Sequence, residues 1–331
     1  MNKYLVFCFC ISFLFSCNSG GGFSGANLAG KSGELLVVLN NEYTNTELSA
    51  HINSLLNQPE KGLIQSEPPF SVLTISRNHF SSAFRSHRNI LFIDVQTKHV
   101  EPIVQFHKNM WTDHQAYVGV VVPHADSLIP FLKTYRNAII DYFIAAELER
   151  YLAGYKIVPN KQVQETIRKK FNISLDIPKG FKLNVIEDGF AWISLESAEH
   201  SQGIIIYERP YTDTMQLEKW SILRYRDSLL RKYIPGPTAG SFMTTEYILP
   251  IQYKVGRYIL NSYTVELLGK WRVENDFMAG PFSSYTFVDE SQKKVFTIDG
   301  YVYYPNMNKR NYTRQLQAIC RSVQTMNEIK K

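Results

Sequence analysis

A run of strand-like segments in the second half of the chain restricts the fold more than any other sequence feature. The segments are rich in β-branched and aromatic residues and are separated by turn-forming residues; they cover 244–249, 257–268, 282–288 and 295–303. Helix-like segments precede and follow them, at 214–233 and 306–326. Strands that are joined by short turns pair antiparallel, and helices then cover the sheet. The sequence therefore predicts an antiparallel, helix-covered sheet in this half.

Strand-like and helix-like segments alternate in the first half. Apolar runs typical of strands occur at 35–39, 70–76, 89–95, 103–107 and 116–122. A long amphipathic segment then begins near Asp126 and ends near Gly154, and Pro159 marks a break after it. A chain of 331 residues is long enough for one large domain or two ordinary ones. We expect an α+β fold of mainly antiparallel sheets covered by helices, with two α/β-type subdomains at 34–158 and 159–331.

The N-terminus of the chain has the pattern of a secretion signal. Residues 4–15 form an apolar run that is too short to cross a bilayer but has the length of a signal-peptide core. The run ends in Leu14-Phe15-Ser16-Cys17, which resembles the lipobox of bacterial lipoproteins. In that family the cysteine is lipidated and becomes the first residue of the mature protein.

The lipobox resemblance implies a cellular location for the mature protein. It implies a signal peptide at 1–16, a lipid anchor on Cys17 and a membrane partner held through that lipid. Asn18, directly after the cysteine, resembles outer-membrane lipoproteins, so we expect an outer-membrane anchor that faces the periplasm. The residues at 17–33 are mostly Gly, Ser, Ala and Asn, and this composition predicts a flexible tether.

Residues 25–32 match the phosphate-loop pattern, but their surroundings argue against a nucleotide site. A phosphate loop needs a buried strand before it and a helix after it. Here the tether precedes the pattern and the strand-like 34–39 follows it. We therefore expect no nucleotide and no cofactor.

The charged residues and histidines predict neither a nucleic-acid partner nor a metal. The formal charge is +6, but the basic residues are scattered along the chain rather than clustered. Most histidines fall between His51 and His124, with irregular gaps that lack the close spacing of zinc ligands.

The sequence offers no nucleophile for catalysis. It contains no Gly-x-Ser-x-Gly motif. Removal of the signal peptide and lipidation of Cys17 would leave Cys320 as the one free thiol. Cys320 shares a helical face with Leu316 and Ile319, and this spacing predicts burial. No catalytic residue is assigned.

Paired carboxylates leave an enzymatic alternative open. The pairs are Glu187-Asp188, Glu274 with Asp276, and Asp289-Glu290. A glycoside hydrolase needs two carboxyl groups that face each other across a cleft, and sequence spacing does not report that distance. A periplasmic hydrolase or glycan-processing enzyme that uses such carboxylates is therefore the alternative function.

The aromatic residues of the second half favour a different class of function. The chain has 20 Tyr, 20 Phe and 4 Trp, and exposed rings can stack on sugars or line an apolar pocket. Alternation along 295–303 places Phe296 and Ile298 on one face of the strand, and Asp299 and Tyr301 on the other. Ordinary packing of a sheet explains most of these rings, and the second, mixed face is either solvated or part of a ligand groove.

Several linked stretches resemble a Bacteroidetes lipoprotein family catalogued only as a domain of unknown function. They are Arg226-Asp227-Ser228, Tyr233-Ile234-Pro235-Gly236-Pro237, Gly269-Lys270-Trp271, Phe277-Met278-Ala279-Gly280-Pro281-Phe282 and Asp299-Gly300-Tyr301-Val302-Tyr303, and the likeness extends back to Phe84, His87, Arg88 and Asn89. The resemblance supports the lipoprotein address and implies no activity, cofactor or catalytic residue.

We therefore expect a non-enzymatic, lipid-anchored binding module of the cell envelope. Its partner would be an envelope glycan, lipid or protein, recognised through the aromatic half. The residues expected on the recognition face are Arg226, Trp271, Tyr303 and Arg310.

Overall fold

The computed structural model describes residues 28–60, 66–97 and 101–326, and the elements below belong to that part of the chain. The N-terminal domain contains strands β1 (Glu34–Leu39), β2 (Ser71–Ser76), β3 (Asn89–Val95), β4 (Ile103–Lys108) and β5 (Ala116–Val122). Its helices are α1 (Glu47–Leu56), α2 (Ser82–Arg85) and α3 (Ala125–Ile157), with short 3-10 turns at Asn41–Tyr43 and Arg77–His79.

The N-terminal strands form one sheet in the order β2-β1-β3-β5-β4. Strands β2, β1, β3 and β5 are parallel to their neighbours, and β4 pairs antiparallel with β5 at the edge. The β1 side chains are buried on both faces of the sheet, which explains why this strand is apolar throughout rather than alternating. Leu35 and Val37 pack with α1 and α3, whereas Leu36 and Val38 pack on the opposite face.

The C-terminal domain is built around a larger sheet. Its strands are β7 (Lys182–Glu187), β8 (Phe190–Glu196), β9 (Ser201–Pro210), β10 (Phe242–Glu246), β11 (Gln252–Ile259), β12 (Ser262–Glu274), β13 (Ala279–Asp289) and β14 (Lys294–Tyr303). The order is β10-β12-β13-β14-β9-β8-β7, and β11 pairs with β12 beside β10. Every pairing in this sheet is antiparallel.

Helices cover both faces of the C-terminal sheet. They are α4 (Lys161–Phe171), α5 (Lys219–Tyr233) and α6 (Arg310–Arg321), with a 3-10 turn at Thr214–Leu217, and β6 (Ile173–Ser174) pairs with β15 (Gln324–Thr325). Phe296 and Ile298 pack with α4 and α6 on one face, and Val295 and Tyr301 pack with α5 on the other. The predicted alternation of β14 is confirmed, and its mixed face lies buried beneath α5. Cys320 of α6 is buried as expected, and burial raises the pKa of its thiol.

The N-terminus of helix α6, in the C-terminal domain, is hydrogen-bonded to Glu67 of the N-terminal domain. The Glu67 side chain accepts hydrogen bonds from the backbone N–H groups of Lys309 (2.7 Å) and Arg310 (3.0 Å) at the start of α6. Nearby, the Arg314 guanidinium donates to Glu60 at 2.8 Å. A residue of the N-terminal domain therefore caps a helix of the C-terminal domain, where the positive end of the helix dipole favours a carboxylate.

The predicted α+β class is confirmed, and two details differ from the sequence expectations. The first sheet is mostly parallel, because helices and long connections rather than tight turns join its strands. The predicted tether also extends too far: Leu28 is buried, Ala29 pairs with His87, and the Ser32 hydroxyl donates to Glu147. Within the described residues, no helix is long and apolar enough to span a bilayer.

Candidate functional site

An aromatic pocket of about 400 Å³ opens at one end of the C-terminal sheet. Its walls come from the 234–237 loop that follows α5, the 196–201 loop between β8 and β9, and side chains of β8, β10, β12 and β14. The lining is mainly apolar: Trp192, Ile234, Pro235, Pro237, Met243, Trp271, Val273, Met278, Tyr301 and Tyr303. A concave, mostly apolar cavity of this size is typical of a small-ligand site.

Hydrogen bonds fix three of the rings that line this aromatic pocket. The Trp192 indole N–H donates to the Tyr301 hydroxyl at 2.9 Å, and the Trp271 indole N–H donates to the Val302 carbonyl oxygen at 3.2 Å. The Trp271 and Tyr301 rings meet edge to face, with centroids 5.4 Å apart. Burial raises the pKa of Tyr301, so its hydroxyl stays protonated at neutral pH. The walls are therefore set before any ligand enters.

Two glycines make room for these rings. A Cβ on Gly203 would overlap the Tyr301 ring, which lies across the neighbouring strand β9. A Cβ on Gly280 would overlap the Val302 carbonyl oxygen and lie 2.6 Å from the Trp271 indole nitrogen. Both strands lack a side chain at the positions where the rings cross them, because any side chain would displace the rings.

A buried ion pair lies behind the pocket and joins α5 to β14. The Arg226 guanidinium of α5 donates to the Asp299 carboxylate of β14, and neither side chain is exposed. Arg226 also donates to the Thr245 hydroxyl at 2.8 Å and lies over the Phe282 ring, 4.0 Å from its centroid. Asp299 lies two residues before Tyr301 on the same face of β14. The pair therefore fixes α5 against the strand that supplies two pocket rings.

The polar groups lie at the rim of the aromatic pocket rather than at its base. His200, Glu196 and Glu199 belong to the loop between β8 and β9. Ser197 lies within hydrogen-bonding distance of the His200 ring, at 2.8 Å from Nδ1. Burial lowers the pKa of His200 although Glu199 and Glu196 oppose this, so the ring is neutral at pH 7. The rim thus presents two carboxylates and an uncharged imidazole beside an apolar cavity.

The structure brings together two of the four residues expected on a recognition face. Trp271 and Tyr303 line the aromatic pocket, with Trp271 1% exposed and Tyr303 half-buried. Arg226 is fully buried behind the pocket and presents no surface to a partner. Arg310 lies elsewhere, at the domain junction, where it donates to the Pro68 carbonyl oxygen at 2.9 Å. The prediction that these two arginines lie on a recognition face is therefore wrong. Arg226 holds α5 against β14, and Arg310 contacts the N-terminal domain. Cys17 lies outside the described residues.

The carboxylate pairs that left an enzyme open do not form a facing pair in this pocket. Asp188 pairs with Lys170 on the surface, Glu274 pairs with Arg272, and Asp276 accepts from the Thr238 hydroxyl at 2.9 Å. Asp289 accepts from Ser291 and Gln292 within a turn. Each of these carboxylates therefore takes part in a surface ion pair or in local hydrogen bonds near a turn.

Sequence reasoning missed Trp192, the rim loop and the proline-rich wall as members of one site. A signal was present, because four of the stretches that carry the family resemblance contribute to the pocket lining. They supply 234–237, Trp271, Met278, and Tyr301 with Tyr303. The fifth stretch supplies Arg226, which pairs with Asp299 behind the pocket.

Two regions of the chain match protein families whose function is not known. No curated protein matches the chain. Residues 29–156 match a family described as a domain of unknown function (DUF8532). Residues 160–322 match another, described as a domain of unknown function (DUF4837), so the aromatic pocket lies within the region that carries this second domain.

Proposed function

We propose that this chain is a lipid-anchored, periplasm-facing envelope protein that binds the apolar part of an amphipathic envelope component in its aromatic pocket, without catalysing a reaction. The observation that carries the proposal is the pocket itself: a preformed, mainly apolar cavity whose rings are held by hydrogen bonds and glycine contacts. Such a cavity favours an alkyl or aromatic group because burying that group removes its apolar surface from water.

The rim defines the polar part of the ligand. Glu196 and Glu199 are exposed next to the cavity, and neutral His200 can donate or accept a hydrogen bond. A hydroxylated or ammonium-bearing head group would complement these carboxylates, whereas a phosphate without a cation would be repelled. A lipid with an apolar tail and a zwitterionic head group combines both requirements.

The proposed address rests on the lipobox resemblance of Leu14-Phe15-Ser16-Cys17. Lipidation of Cys17 and membership of a Bacteroidetes lipoprotein family are parts of the same proposal. The first described residue, Leu28, is buried, and ten residues, 18–27, separate it in sequence from the proposed anchor. A connection of this length would keep the pocket close to the membrane that supplies its ligand.

Filling the mouth of the pocket tests ligand binding. Ala198 is an exposed lining residue of the rim loop, so Ala198→Trp places a large ring at the entrance. We expect a chain that starts at Asn18 to bind a neutral naphthylamine dye, and lysophosphatidylethanolamine to displace it. The substitution should weaken dye binding at least about tenfold, because the lost apolar contacts are worth about 1.5–3 kcal/mol. Fluorescence titration measures both effects.

A matched variant separates pocket filling from a general effect of an added tryptophan. Ala239 is an exposed alanine of the neighbouring 238–241 segment and does not line the pocket. Ala239→Trp should leave the dye affinity unchanged. Equal dye binding by the wild type and both variants would rule out the aromatic pocket as the binding site.

The anchor is tested by a Cys17→Ala variant of the full chain. We expect the wild-type protein to fractionate with the outer membrane and to carry the added mass of an acylated cysteine. The variant should lose both properties, because the thioether-linked lipid has no other attachment point. Intact-mass spectrometry and membrane fractionation measure this. A soluble wild-type protein without added lipid mass would contradict the proposed membrane localisation. It would not affect the proposal that the aromatic pocket binds a ligand.

A further inference from the structure

A second cavity, the interdomain cleft, separates the two domains and differs in chemistry from the aromatic pocket. It has a volume of about 630 Å³ and lies between α3 of the N-terminal domain and β11, β12 and α6 of the C-terminal domain. Amide side chains from both domains line it, among them Asn137, Gln252 and Gln317. A cleft walled by polar groups of two domains is suited to a polar ligand that contacts both.

Most charged groups of the interdomain cleft already have partners. Glu266 accepts from the Arg321 guanidinium at 2.9 Å and from the Tyr285 hydroxyl at 2.7 Å. The Arg136 Nε donates to the Leu55 carbonyl oxygen at 2.7 Å. These groups are held by the protein itself, and they leave little capacity for a new ionic contact.

Asp141 and Lys254 are different. Asp141 belongs to α3 and Lys254 to β11, so the two line the cleft from opposite domains. Within the part of the chain that the structure describes, neither makes an ion pair or a side-chain hydrogen bond. Asp141 is exposed but partly desolvated at the cleft wall, which raises the pKa of its carboxyl, and the positive charges of Lys254, Arg321 and Arg136 oppose this. Asp141 and Lys254 thus line one cavity with opposite charges and do not pair directly.

A negative charge and a positive charge on the walls that two domains contribute to one polar cavity are complementary to a zwitterion. The ligand ammonium would pair with Asp141, and the ligand carboxylate with Lys254. The amide side chains of the same lining offer donors and acceptors that match peptide groups. A peptide with free termini has this order of groups: ammonium, amides, carboxylate.

We infer that the interdomain cleft binds a short peptide with free termini, its N-terminal ammonium at Asp141 and its C-terminal carboxylate at Lys254. The peptide bridges the two domains. This site is independent of the aromatic pocket and of the proposed lipid ligand, so either can fail without the other.

Calorimetric titration of the full chain in detergent tests the inference. The probes are di-, tri- and tetra-alanine, each with free termini, with an acetylated N-terminus or with an amidated C-terminus. We expect at least one length with free termini to bind, and either blocking group to weaken that peptide about tenfold, as expected for loss of one charged contact. Absence of binding at every length, or equal affinity for free and blocked peptides, overturns the inference.

Variants assign each terminus to its residue. Asp141→Asn should weaken the free peptide about as much as N-acetylation does, and should not weaken the acetylated peptide further. Lys254→Met should show the same relation to C-terminal amidation. Both residues are exposed, so the fold should persist, and circular dichroism checks this. Asp126→Asn on α3 and Lys182→Met on β7 are matched exposed controls that lie outside the cleft and should leave binding unchanged. Equal effects of cleft and control variants would also overturn the inference.

Discussion

Glu147→Gln is expected to lower the free energy of unfolding by about 3–5 kcal/mol, the usual cost of breaking a buried ion pair. The Glu147 side chain is 1% exposed and lies on α3 beneath the N-terminal sheet. One carboxylate oxygen contacts Arg88 Nε at 3.0 Å and Arg150 Nη2 at 2.8 Å. Glutamine retains the shape but leaves these two buried guanidinium groups without a countercharge.

A neighbouring glutamate provides the matched control. Glu149 lies on the same helix, is exposed, and pairs with Lys108 on the surface at 2.7 Å. Glu149→Gln should cost about 1 kcal/mol or less, because water screens an exposed pair. Urea denaturation followed by circular dichroism measures both variants. Equal destabilisation by the two substitutions would contradict a special role for the buried carboxylate.

Acid should abolish the difference between the wild-type protein and Glu147→Gln. Burial alone would raise the pKa of Glu147, but Arg150, Arg88 and the Asn89 amide together lower it to about 2. A carboxyl with a lowered pKa stabilises the fold fully above its unfolded pKa of 4.5 and loses this effect as the pH falls towards 2. The contribution is about 3 kcal/mol. Unfolding at a series of pH values between 7 and 2 measures this convergence.

The second large effect is expected for Arg226→Met, which should lower the free energy of unfolding by about 3–5 kcal/mol. Methionine is a long, apolar side chain, so the substitution mainly removes the charge. It leaves the Asp299 carboxylate, which is 0% exposed, without its ionic partner. It also removes the guanidinium from the face of the Phe282 ring. Chemical denaturation measures the loss.

Two further variants show whether the unpaired charge is the cause. Combining Arg226→Met with Asp299→Asn removes both charges, so the double variant should recover most of the lost stability. Arg231→Met changes an exposed arginine of the same helix, which stacks on Phe242, and should cost about 1 kcal/mol or less. A double variant that is less stable than Arg226→Met by itself would show that the Asp299 charge is not the source of the instability.

Periodicity and turn residues predicted those parts of the fold that local sequence determines. The alternation along 295–303 assigned Phe296 and Ile298 to one face and Asp299 and Tyr301 to the other, as the structure shows. The strongly apolar 35–39 and 89–95 predict strands, as the structure confirms, because a strand buried on both faces is apolar throughout. The same residues do not predict the parallel pairing of these strands, because pairing direction depends on where the connecting helices cross the sheet rather than on the strand residues.

The candidate site shows the same limit at the level of side chains. Trp271 and Tyr303 were expected at a binding surface, and they line the aromatic pocket. Arg226 and Arg310 were predicted on the same face, yet Arg226 pairs with Asp299 and the Arg310 backbone N–H donates to Glu67. Asp299 is 73 residues from Arg226 in the chain, and Glu67 is 243 residues from Arg310. Contacts over such distances depend on the whole topology, which no local pattern encodes.

The cap that Glu67 places on α6 links the order of synthesis to the completion of the fold. Glu67 is synthesised about 240 residues before α6, the last helix of the described chain. The inner face of α6 supplies Leu316, Ile319 and Cys320 to the C-terminal core, so that core closes only after α6 has been synthesised. Its first turn is then completed by a carboxylate from the opposite domain. The two domains should accordingly unfold in one cooperative transition, and an isolated C-terminal domain should keep a frayed α6.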